Sequence, residues 1–172
     1  IDVLMVSEQE FQQRRITKQP LPVPVQVQNS AGPIHMTVPP RYTVPIIVDT
    51  SVSEPQTHTL RIELTNVGSG FPITEEDQTI GAGGRIIGTI DLLGPNGVAF
   101  EDCLNEGSGT TIDLNNVDLR IRETNSVPIV CTISVDPSVL SQARPMERFK
   151  LLFDLEYTYF VSATQGVLVN GR

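Results

Sequence analysis

Tryptophan is absent from this chain of 172 residues, and aromatic character rests on three tyrosines and six phenylalanines. An exposed aromatic ladder for stacking sugars or bases is therefore not expected. Positive charge is scarce too: 12 Lys and Arg against 20 Asp and Glu leave a formal charge of −8. A phosphate backbone or an anionic membrane surface requires the opposite balance, concentrated in one place. The one basic cluster, Arg14 and Arg15 with Lys18 nearby, is flanked by glutamines and reads as a solvated face, so no nucleic-acid partner is expected. No stretch approaches the ~20 apolar residues of a membrane helix. The start shows no basic, apolar and cleavable leader pattern, and it opens on Ile1 without a methionine, as a processed product would.

Histidine is limited to His35 and His58. Neither lies at ligand spacing from a cysteine or beside a candidate nucleophile, so metal binding and nucleophilic catalysis both lack their usual participants. Both histidines are expected as exposed strand residues. Acidic doublets occur at Glu75 to Asp77 and at Glu101 with Asp102, as chance allows in an acidic protein. The first of these, with Thr74, is a weak calcium candidate, because it lacks the spaced Asp-x-Asp-x-Asp-Gly pattern. Gly81 to Gly84 lacks the Lys-Ser/Thr of a phosphate loop and leads into a strand, which makes it a hairpin turn. No enzyme activity and no cofactor are expected. No Asn-x-Ser/Thr sequon is present.

What the chain does hold is β-branched residues, punctuation and one pair of cysteines. Cys103 and Cys131 are an oxidised pair, two buried thiols, or part of a metal site. The disulfide is the reading that suits an acidic, helix-poor chain, and it points to an extracellular or cell-surface location. Thirteen prolines and thirteen glycines exceed what helices tolerate. Short alternating segments recur between turns: Ile34 to Val38, Tyr42 to Val48, Thr57 to Val67, Ile86 to Leu93, Val98 to Leu104, Val117 to Arg122, Val127 to Val135, Phe149 to Val161 and Val167 to Val169. In the cleanest of them Leu60, Ile62 and Leu64 share one face, with Arg61, Glu63 and Thr65 on the other. The Phe149 strand is two-faced and reads as central in its sheet. Pro137 to Arg144 has room for one helical turn.

The first twenty residues differ. Ile1, Val3, Leu4, Met5 and Val6 belong to a short apolar run. Ser7 then caps a short helix, with Glu10 three residues on and Arg14 and Arg15 at its end. Pro20, Pro22 and Pro24 alternate ahead of a strand over Val23 to Gln28, so the lead-in is a semi-rigid linker, an edge strand that pairs with a neighbouring subunit, or a proline-rich ligand segment for another module. The expected organisation is an N-terminal extension over residues 1–20 and a β-sandwich domain over 21–172. The fold class is all-β: an antiparallel sandwich with an N-terminal extended and short helical segment.

The segment Thr59 to Gly70, an alternation ending in Asn66-Val-Gly-Ser-Gly70, resembles a strand and turn of immunoglobulin-like modules in prokaryotic, often archaeal, surface and pilus-type proteins. Phe153 to Tyr159 followed by Gly166 to Val169 is similar to the last hairpin of that class. The resemblance implies an immunoglobulin-like architecture and carries over no binding or catalytic residue. The apolar run ahead of a proline-rich stretch favours a structural subunit of a surface assembly, a homo-oligomer or polymer, in which the strand of Ile1, Val3, Leu4, Met5 and Val6 contacts a neighbouring subunit by strand donation. The competing placement of that strand is within its own domain. An accessory adhesion module that recognises protein or glycan through its loops is the alternative function.

Overall fold

Alternation in sequence becomes alternation across sheets in the computed structural model, which describes residues 1–73, 84–121 and 126–161. One α-helix and fourteen strands are present among them. In chain order they are β1 (Asp2–Ser7), α1 (Glu8–Thr17), β2 (Val25–Gln26), β3 (Ile34–Thr37), β4 (Ile46–Val48), β5 (Gln56–Asn66), β6 (Phe71–Ile73), β7 (Gly84–Arg85), β8 (Ile87–Leu93), β9 (Val98–Cys103), β10 (Thr111–Asp113), β11 (Arg120–Ile121), β12 (Ser126–Val135), β13 (Met146–Glu156) and β14 (Thr158–Phe160).

The strands form two main sheets. The first runs β10-β8-β13-β1-β2, with β4 also pairing with β1, and the second runs β3-β5-β12-β9. All their pairings are antiparallel except the parallel one between β1 and β4. Two small ribbons, β11-β7 and β14-β6, lie outside them. A single core joins both main sheets. Val3, Met5, Ile90, Phe149 and Leu151 of the first meet Leu60, Ile62, Leu64, Phe100, Ile129 and Ile133 of the second. The all-β, mainly antiparallel architecture is thus as expected.

Details differ where local chemistry overrides the alternation. The strand expected over Val23 to Gln28 shrinks to β2, since Pro22 and Pro24 have no N–H for a ladder. Pro128 sits inside β12, opposite Glu63 of β5. It is tolerated because β9 pairs with β12 only from Cys131 onward, so the strand has a free side at Pro128. The Phe149 strand begins earlier, at Met146, lies centrally between β8 and β1, and breaks at Tyr157 before β14. Gly88 of β8 has φ +125°, and a Cβ there would collide with the Asp154 carbonyl of β13, so only glycine fits. Pro137–Val139 forms the expected turn as 3₁₀. The Glu75 to Asp77 cluster and the Val167 strand lie outside the described residues.

A polar knot closes one end of β5. Asn66 is buried; its side-chain amide donates to the Gly70 carbonyl and its Oδ1 accepts from the Tyr159 hydroxyl. The same hydroxyl accepts from the Gly70 N–H at 3.0 Å. The Asn-x-Gly-x-Gly turn thereby fixes β14 to β5 through satisfied groups.

Candidate functional site

Val3, Leu4, Met5 and Val6 are each no more than 2% exposed, so β1 is buried on both faces. Val3 and Met5 join the main core. Ladder hydrogen bonds occupy both edges. On one side β1 runs antiparallel to β13, with Leu4 opposite Arg148 and Val6 opposite Met146. On the other, Asp2 and Val3 pair with β2, and Met5 to Ser7 lie parallel to Ile46–Val48 of β4. Of the two placements open in the sequence, the structure shows the strand within its own domain. A boundary at residue 20 therefore does not separate residues 2–7 from the sheets.

Side chains key the strand into its slot. The Arg148 guanidinium donates to Asp2 Oδ1 at 2.6 Å and to the Val23 carbonyl at 2.5 Å, tying β1 and the segment before β2 to β13. The pair is about three-quarters buried at both ends. At the far end the Ser7 N–H donates to the Pro145 carbonyl at 2.8 Å.

The link out of this slot is lightly held. Ser7 Oγ accepts from the Glu10 N–H at 3.3 Å and Arg14 pairs with Glu10 at 2.6 Å, as the capping pattern predicts. Lys18 ends α1 in a left-handed conformation, φ 56°. No residue of α1 is buried. The helix rests against β1 and β4, and its stability owes more to caps and ion pairs than to packing.

Cys103 and Cys131 are bonded, with both residues fully buried. They face each other across adjacent strands β9 and β12 of one sheet, and their side chains contribute to the core. No group of three or more metal-ligating side chains occurs among the described residues. Glu101 lies at a bulge in β9 and accepts from the Thr57 hydroxyl at 2.8 Å.

His58 departs from expectation. It is half-buried and opposite Ile133, and it shares the parity of Leu60, Ile62 and Leu64 in β5. Its Nε2 is enclosed and has no hydrogen-bond partner. Burial holds its pKa below the ordinary imidazole value of 6.5. As pH falls through 6.5 the unfolded chain takes up this proton first, so stability declines down to the folded pKa and then loses no more from this group. Urea unfolding at about pH 7.5 and about pH 5.5 should show a smaller decline in His58→Gln than in the parent. Equal declines would remove His58 from the account.

The molecule is thus an all-β protein of two main sheets sharing a core, stapled by a buried disulfide, with its first strand in the middle of one sheet. No helix among the described residues is long and apolar enough to cross a membrane. No protein-family model, curated protein or solved structure matches the chain.

Proposed function

We propose that this protein is a structural subunit of an extracellular or cell-surface assembly, a pilus-like filament or envelope component. In this reading an immunoglobulin-like sandwich polymerises by donation of its N-terminal strand. The observation that supports it is the situation of β1. This strand is central and buried on both faces, yet it is the first element and has no hairpin to either neighbour. An exposed helix and a proline-rich segment join it to the next strand of the body.

Without β1, the edges of β13, β2 and β4 would carry unpaired backbone groups and the core would open to water. A β1 from a second copy satisfies the same ladder, and its Asp2 meets the same Arg148. Such an exchange is head-to-tail and need not close, which is how open filaments arise. The buried disulfide suits an oxidising location outside the cell.

A cross-strand cysteine pair tests this. Val6→Cys with Met146→Cys places new thiols on directly paired residues of β1 and β13. If strands are donated, oxidation of assembled material gives a ladder of covalent multimers on non-reducing gels. Oxidation before assembly gives locked monomers that form no filament by electron microscopy. Filaments built from internally locked monomers, or a parent protein that forms no polymer, would overturn the reading.

A further inference from the structure

Beside the β1 slot, the two sheets leave a cleft of about 300 Å³ between the Arg41–Ile47 segment and the start of β5. That volume is at the lower end of the range small-molecule sites occupy. Its lining is mixed: Val44, Pro45, Ile46 and Ile47 supply exposed apolar surface over the buried Val3 and Leu60, beside Arg41, Tyr42, His58 and Thr59. No Asp or Glu lines it, although acids outnumber bases 20 to 12 in the chain.

Two of its polar groups stand out. The Arg41 guanidinium lies over the Tyr42 ring, 4.7 Å from its centre, and forms no ion pair among the described residues. His58 also lines the cleft, and its Nε2 is the one buried side-chain nitrogen or oxygen among the described residues without a hydrogen-bond partner.

We infer that this cleft binds a small organic carboxylate with a short apolar tail. The tail takes the Val44, Ile46 and Ile47 side chains, above the buried Val3 and Leu60, where burial of each methylene is favourable. The carboxylate takes the Arg41 guanidinium, whose planar fork matches it in two hydrogen bonds. The absence of acidic groups from the lining keeps the anion from being repelled. His58, in the lining beside the apolar side chains, places an imidazole ring where a bound ligand would shift its resonances. The inference goes beyond the assembly reading and does not depend on polymer formation.

Hexanoate titrated into the intact chain, followed by NMR of the His58 ring and the Ile46 and Leu60 methyls, tests it. Saturable shifts at these residues are expected. Hexanol, with the same tail and no charge, should bind about tenfold or more weakly, and Arg41→Gln should weaken hexanoate by about tenfold or more. Arg41 is exposed, so its substitution leaves the melting temperature unchanged and the loss reads as lost binding. No saturable shift, equal affinity for hexanoate and hexanol, or undiminished hexanoate binding in Arg41→Gln would each overturn the inference.

Discussion

Met5→Asp is expected to leave no folded population at room temperature. Met5 is 0% exposed, faces the shared core, and lies between the ladders to Glu147 of β13 and Ile46 of β4. Losing a buried methionine side chain costs about 2–5 kcal/mol. Placing an unpaired carboxylate in the same space costs several kcal/mol more. A domain of this kind has only about 5–15 kcal/mol in total. Met5→Leu keeps volume and polarity, and should cost less than about 1.5 kcal/mol. Circular dichroism with urea titration distinguishes the two. A native-like midpoint for Met5→Asp would mean that β1 does not hold the centre of its sheet. For the same reason, deletion of residues 1–19 should yield an incomplete sandwich, rescued when the missing segment is supplied as a peptide.

Replacement of both Cys103 and Cys131 by alanine is the second large effect. The bond spans 28 positions, and closing a loop of that length contributes about 3–4 kcal/mol in the chain-entropy account. For a domain of this size the melting temperature should fall on the order of 10 °C. Both side chains lie in the core, so some loss of packing adds to the effect. The double variant should still fold, because β12 keeps its ten-residue pairing with β5. An unchanged melting curve under oxidising conditions would show that the bond contributes nothing to stability. Loss of all structure would show that it is the main staple.

Much of the architecture was legible because it is local. The Leu60, Ile62 and Leu64 face, the Ser7 cap with Glu10, and the turn at Asn66 to Gly70 are all written in short windows. The inward position of His58, two residues before Leu60 on the same parity, was misread as an exposed one. Polarity argued for the surface, yet the period of two decided the face. The partners of β1 were not legible. Its ladder to Lys150, Phe149 and Arg148 joins segments nearly a whole chain apart, and no local pattern specifies such a pairing. The same holds for the Arg41 cleft, assembled from β1, the approach to β4, and β5. The short strands β6 and β10 carry too few residues to show an alternation at all.

The pairing of β1 with β13 also sets an order of events. A ribosome releases Val3 to Val6 well before the β13 ladder residues 146–150. Over that interval the segment can meet β2 and β4 but lacks its longest partner, β13, and long-range closure is slow compared with local hairpins. Every newly made molecule therefore passes through a stage in which the β13 edge of this strand is unpaired. A holding factor, or a neighbour in the same condition, has its opportunity then. Once the strand has docked in its own sheet, leaving it requires breaking both ladders, so the choice between self and neighbour falls to the timing of folding.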